Sequence, residues 1–353
     1  MRCILHIGTR KTGSSSIQSY LKQNAQRLLG QGYLMPACLA ENGFQIAVAS
    51  DPLRKLWYYC AREDIKTDED FVRFRDLTYG NLRAEIAEHQ PHTVILSSED
   101  LSLYIDQQQT DYLRDRLSMF SRIDVLCYIR RQDRYIVSDF STGLLNGGVG
   151  FPLDGDPAQA TYLNYKHMID LWAGAFGREA ITLRIFEPAH LKNQDLITDF
   201  CDFAGLDSSA FEPGEVRNAS VTAAAQAFLR VANEELPGIL PDGSFNWKRG
   251  PLNAALLAHY SGTPPMPPRA VAERFYDFFR DSNEALRKAY LPDNPAPLFA
   301  EDFQRYPEAG EEAELSFHDG AELAVRIWRE AQEQNRKLRQ KIRSLRRDLG
   351  LDP

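Results

Sequence analysis

At 353 residues, 43% hydrophobic and 25% charged, the sequence is that of an ordinary globular chain, long enough for a large α/β core or two small domains. Its net charge of −8 excludes a general nucleic-acid binder, because backbone phosphates require a basic footprint; any anionic ligand must be held locally. No apolar run approaches the ~18 residues of a membrane span, no charged head and cleavage site mark a leader, and the five cysteines (Cys3, Cys38, Cys60, Cys127, Cys201) have neither CxxC nor Cys/His spacing, so a cytoplasmic protein without a disulfide framework or zinc site is expected.

The first predicted element is a strand at Cys3–Ile7, which runs into GTRKTGSSS before a helix predicted over Ser14–Leu29. A strand, a glycine-rich turn and a helix start bring unpaired N–H groups and the positive end of a helix dipole to one point, a combination that binds a phosphate-like anion. Lys11, Gly13 and the hydroxyls of Thr12, Ser14, Ser15 and Ser16 belong to that pocket. The same residues also suit a plain capped helix, with Ser14 or Ser15 as N-cap and Lys11 exposed. His6, inside the strand, is expected in core packing or beside the site rather than as a base. After a helix at Glu69–Glu88, the strand Thr93–Ser98 ends at Glu99 and Asp100, on the edge where open α/β sheets bind ligands. Glu99 there also suits capping a helix that begins near Leu101 and Ser102.

A helix at Gln109–Ser118 precedes the strand Ile123–Ile129, which ends at Arg130; the next helix, Arg134–Leu145, carries Ser138 eight residues beyond that arginine. Helices at Tyr162–Phe176 and Leu191–Ala204 flank a strand at Ala180–Ile185, and further helices are predicted at Val221–Glu235 and Ala270–Ala289. Between these last two, Leu236–Pro268 is dense in Pro and Gly and reads as a long irregular excursion, a candidate for acceptor contacts. This alternation predicts an α/β fold with a central parallel sheet and helices packed on it.

A domain is expected over residues 1–307 and a helical extension over 308–353. In the extension Ala321, Ala324, Trp328, Ala331, Asn335, Leu338, Ile342, Leu345 and Leu349 follow a three-four alternation, the seam of a coiled coil, with Asn335 and Ile342 at a and Leu338 and Leu345 at d. That seam predicts a homodimer. A single amphipathic helix folded back on its own domain fits the same pattern, and the basic run from Arg336 to Arg347 also suits a polyanionic glycan or an acidic membrane face.

In the nucleotide-binding P-loop, G-x-x-x-x-G-K-[ST], the lysine follows the second glycine; here Lys11 precedes Gly13. The stretch HIGTRKTGSSSIQ resembles instead the phosphosulfate-binding loop of sulfotransferases, K-x-G-T-T or K-T-G-S-T, in the form common in bacterial members, with Ser14 and Ser15 where threonine often stands. The resemblance implies a second motif, an arginine and a serine eight residues apart that hold the donor's 3′-phosphate. Arg130 and Ser138 in DVLCYIRRQDRYIVSDFS match it, and Gln132 departs from the proline frequent in the family. Arg131 and Arg134 then either screen phosphate or pair with Asp133 or Asp139. Arg217, Asn218 and Ser220 fall in a region that looks donor-proximal in bacterial members, while SNEALRKAYL and PLFAEDF look like their closing helix and tail.

What the resemblance implies is a P-loop-like three-layer sandwich that moves a sulfuryl group from 3′-phosphoadenosine 5′-phosphosulfate (PAPS) to a hydroxyl or amine, a carbohydrate by family expectation, without a metal. Lys11 would stabilise the departing phosphate and Glu99, or Asp100 in its place, would be the base. Two other readings stay open: a metal-dependent P-loop nucleotide kinase or hydrolase, and a non-catalytic nucleotide-binding scaffold whose coiled coil recruits a partner.

Overall fold

In three of the four predicted strands apolar residues follow one another with little alternation, a pattern that fits strands covered on both faces, whereas Ala180–Ile185 alternates. In a computed structural model of the protein, Cys3 to Gly8 are all buried, as are all of Thr93–Ser97 and Asp124–Ile129. Helices therefore cover the sheet on both sides, in three layers. Every residue is described except 41, 104, 149–154, 210, 214–219, 311–313 and 349–353, together with the side chains of 251 and 254.

In chain order, β1 (Arg2–Gly8) leads into α1 (Ser14–Gln23) and α2 (Ala25–Gly30). Then β2 (Tyr33–Leu34), α3 (Phe44–Ala49), α4 (Trp57–Arg62) and α5 (Asp68–His89) precede β3 (Thr93–Ser97), and α6 (Gln107–Arg116) precedes β4 (Arg122–Ile129). After α7 (Gln132–Leu145) and α8 (Tyr165–Phe176) comes β5 (Ile181–Ile185). The remaining helices are α9 (Leu196–Ala204), α10 (Ala223–Glu235), α11 (Gly250–Tyr260), α12 (Arg269–Tyr290) and α13 (Phe317–Asp348). The five strands form one parallel sheet in the order β2-β3-β1-β4-β5, with His6 opposite Ser97 on one side and Leu126 on the other. Among the described residues no helix is long and apolar enough to cross a membrane.

By its contacts the chain divides into two compact units. The first, Met1–Ile136, Asp154–Arg217 and Ala270–Arg305, holds the sheet. Ile4, Ile95, Leu126 and Tyr128 pack against Ile17, Tyr20 and Leu21 of α1 and Phe200 of α9. The predicted helix Ser14–Leu29 is broken at Asn24, whose side chain bonds both to the Tyr20 carbonyl (2.9 Å) and to the backbone N–H of Glu212 (2.8 Å), so a tertiary contact takes over from local propensity. Gln132 occupies its unusual position for a structural reason: its amide exchanges hydrogen bonds with that of Asn283 in α12 (2.7 and 3.1 Å). Next to it Arg131, fully buried, forms a two-pronged ion pair with Asp133 (2.7 and 2.8 Å), donates to the carbonyls of Ala300 and Asp302, and lies 4.3 Å from the centre of the Phe303 ring. The segments SNEALRKAYL and PLFAEDF are thus held to the sheet by two buried polar contacts.

The second unit is Val137–Leu153, Asn218–Arg269 and Tyr306–Pro353. Its core joins Phe140, Leu144 and Leu145 of α7 to Leu229 of α10, Leu252 and Leu256 of α11, and Leu323 of α13. The segment Leu236–Pro268 is therefore not irregular throughout. It contains α11, which Gly250 and Pro251 open; proline suits a first turn, where its missing N–H is no loss. From α13, Leu323 is buried and Ile327 packs against this core, whereas of the predicted seam Ala321, Ala324, Trp328, Asn335, Leu338, Ile342 and Leu345 are exposed and Ala331 is half-buried. Leu349, the last position of the predicted seam, lies outside the described residues.

Candidate active site

Three adjacent parallel strands, β3, β1 and β4, end side by side, and each hands over to a polar segment: Glu99 and Asp100, residues 9–13, and Arg130. They form the carboxyl edge at which open α/β sheets hold ligands.

The loop after β1 is shaped by two residues in the left-handed region, Lys11 (φ 65°) and Gly13 (φ 80°). Gly13 occupies the N-cap of α1, where its φ of 80° favours glycine and an added Cβ would stand 2.3 Å from Leu196 Cδ2 of α9 and force that side chain to shift. Because glycine has no side chain to cap the helix, the first-turn N–H groups of α1 receive no capping side chain. Thr12 and Ser14, both buried, donate their hydroxyls to the Thr9 carbonyl (2.5 and 3.3 Å) and thereby hold the loop's shape. Thr9 N–H in turn bonds the Tyr128 carbonyl of β4 (2.5 Å). Ser15 is exposed and Ser16 half-buried.

From the end of β4, the Arg130 guanidinium donates Nη1–H to the Lys11 carbonyl (3.1 Å) and lies 6.0 Å from the Phe186 ring, while its own carbonyl accepts from the Tyr165 hydroxyl (2.7 Å). Positions 11 and 130, far apart in sequence, thus meet. Arg134 pairs with Glu187 (2.9 Å) and Arg131 with Asp133 (2.7 Å). In the second unit Ser138 places its hydroxyl 3.4 Å from that of Ser220. Arg217 and Asn218 lie outside the described residues.

Glu99 begins a single 3-10 turn, Glu99–Ser102, rather than the predicted helix start near Leu101. It rests on Gly8, where an added Cβ would fall 2.8 Å from Glu99 Cβ and 2.9 Å from its Cα. Gly8→Ala, which also forces a side chain onto a φ of 87°, is expected to cost about 1–3 kcal/mol in denaturant unfolding; a loss within experimental error would show that this contact yields freely. One Glu99 oxygen accepts from Gln18 Nε2 of α1 (3.0 Å), which also reaches the Ser97 hydroxyl (3.3 Å), and that hydroxyl meets His6 Nδ1 (2.8 Å). Burial pushes the His6 imidazole down to about 3, so it is neutral, a core group as its place in β1 suggested.

The two acids differ in access. Glu99 is partly exposed, whereas Asp100 is sealed beside the Tyr59 hydroxyl. The Arg10 guanidinium stands 4.0 Å from Asp100. Burial raises both carboxyls above their ordinary range; the Asp100 charge raises Glu99 further, and Arg10, with Gln18 at Glu99, pulls the other way. Gln18 and Arg10 were missed in the sequence. The available signal for Gln18 was its place four residues after Ser14, on the same face of α1.

Fold and edge together define an α/β protein whose parallel sheet ends in a cluster of cations, glycine turns and a reachable carboxyl. No protein-family model matches the chain. It is similar to an uncharacterized protein of Archaeoglobus fulgidus, 26% identical over 203 residues, which are 56% of this chain and 54% of that protein, so the chain spans about half the length of that relative. Among solved structures it is similar to a sulfotransferase from Alicyclobacillus acidocaldarius, with a TM-score of 0.44 and 14% identity, over 80% of this chain and 94% of that one.

Proposed function

We propose that the protein is a sulfotransferase that moves a sulfuryl group from PAPS to a hydroxyl or amine of an acceptor, with a carbohydrate as the expected class. The observation that carries this reading is the hydrogen bond from Arg130 to the Lys11 carbonyl, which sets the arginine of the second motif against the loop of the first. The residues present fit a phosphosulfate donor. In a chain of net charge −8 they gather Arg10, Lys11 and Arg130 beside a helix start whose cap is a glycine.

In this reading the loop 11–16 holds the phosphosulfate end and Arg130 the 3′-phosphate; Ser138 joins that role on the strength of its eight-residue spacing alone. The donor supplies an activated sulfuryl group. Glu99 takes the proton of the acceptor hydroxyl or amine as its oxygen or nitrogen bonds to sulfur, and Lys11 balances the charge left on the phosphate as the bridging S–O bond breaks. Glu99 fits the base better than Asp100 because it is the reachable acid, and the raised proton affinity that burial gives it suits that task.

Titration calorimetry with 3′-phosphoadenosine 5′-phosphate and with ATP tests the donor. The 3′-phosphorylated nucleotide is expected to bind more tightly without magnesium, and Lys11→Ala or Arg130→Ala to weaken it by about tenfold or more, each removing a charge-assisted contact. Preference for ATP, or indifference to both substitutions, would overturn the assignment.

A further inference from the structure

The apolar residues of helix α13 have different fates along its length. Leu323 and Ile327 turn to the core of the second unit. Phe317 and Trp328, and further along the helix Leu338, Ile342 and Leu345, are all half exposed or more; the last three form a stripe that continues within about 60° of the Ile327 direction past the end of the core. This stripe is bordered by Arg339 and Arg346 on one side and Lys341 on the other, and residues 336–347 contain seven Lys or Arg and no acid. Glu333, the nearest acid on the N-terminal side, is paired with Arg336 (2.6 Å).

That charge pattern speaks against a second copy as the occupant. In a parallel pair, Lys341 of one helix would face Arg346 of the other across the seam, like against like, and the early seam positions Ala321, Ala324 and Ala331 add little apolar area. An anionic bilayer fits both features. Large apolar side chains enter the acyl boundary, and long basic side chains run along the stripe with their charges among acidic headgroups. Exposed Trp and Phe favour the same interface.

We infer that α13 docks this protein onto an anionic membrane surface through its Leu338–Leu345 stripe and the basic residues beside it. The helix lies on the bilayer rather than crossing it, and the inference does not depend on the sulfotransferase reading.

The test is cosedimentation of the full chain with phosphatidylcholine vesicles that contain or lack phosphatidylserine. Binding is expected only with phosphatidylserine, falling steeply as salt rises. Tryptophan emission should shift to the blue on binding, and the shift should be lost in Trp328→Phe. Because each Lys or Arg near an acidic surface strengthens attachment about fivefold, Arg339→Glu/Lys341→Glu/Arg346→Glu should weaken partition roughly a hundredfold or more. Leu338→Glu/Ile342→Glu should abolish it, with both variants melting like the parent. Failure to bind phosphatidylserine vesicles, or equal binding to neutral ones, overturns the proposal. So does a dimer in equilibrium sedimentation that Leu338→Glu dissociates without any vesicle binding by the parent, which would give the stripe to a second copy.

Discussion

Replacing Glu99 by glutamine is expected to lower turnover by about 10²–10⁴-fold, the usual contribution of a positioned base, while leaving nucleotide affinity near that of the parent. The same change should make the protein more stable at neutral pH. The Glu99 carboxyl holds its proton more tightly in the folded chain than in the unfolded one, because burial and the Asp100 charge disfavour the ionised form. Its contribution to stability is thus fully present below the unfolded value, near 4, and is lost as pH rises through the folded value. Glutamine keeps an oxygen for the Gln18 amide and has nothing to ionise. Each tenfold difference in proton affinity corresponds to about 1.4 kcal/mol. Thermal melts across pH should therefore show Glu99→Gln gaining on the parent from pH 4 upward. The acid limb of the parent's kcat/KM profile should lie above the ordinary glutamate range. A variant that keeps its turnover rules Glu99 out as base; one that gains no stability rules out the buried-carboxyl argument.

Arg131→Met should cost about 3–5 kcal/mol in denaturant unfolding, the largest stability loss expected from one substitution in the first unit. The substitution leaves Asp133 charged and sealed, and it also releases the Ala300 and Asp302 carbonyls that tie the tail down. Lysine should not rescue it, since one ammonium cannot match a planar fork that meets four oxygens. Removing both charges, as Arg131→Met/Asp133→Leu, should recover much of the loss. Had Arg131 served mainly to screen phosphate, the single change would instead leave the unfolding midpoint in place and weaken nucleotide binding.

The sheet was legible in the sequence because β1, β3 and β4 are buried on both faces and appear as apolar runs, while β5 shows the period-two alternation of a strand buried on one face. β2 was not, since Tyr33–Leu34 is too short to show any period. α11 was hidden for the opposite reason: GPLNAALLAHY is apolar around most of its circumference and opens with two residues usually taken as breakers. The start of α9 was placed early because Leu191 is apolar and half-periodic, whereas Asp195 caps the helix by accepting from Thr198 N–H (2.8 Å). For the site, the predicted strand ends and the resemblance to sulfotransferases pointed to Lys11, Glu99 and Arg130. They carried no information on which donors turn inward: Thr12 and Ser14 hold the loop, and Gln18 meets the carboxyl 81 residues further on, because distant strand exits converge only in three dimensions.

Gly8 and Gln18 have a practical consequence for anyone wishing to re-engineer this edge. The turn after the first strand and the acid after the third are not separable parts: one leans on the backbone of the other, and the opening helix reaches across to grip it. Transplanting residues 9–16 from another protein without these two flanking positions would tilt the carboxyl as well as reshape the cradle. Graft boundaries should therefore enclose both.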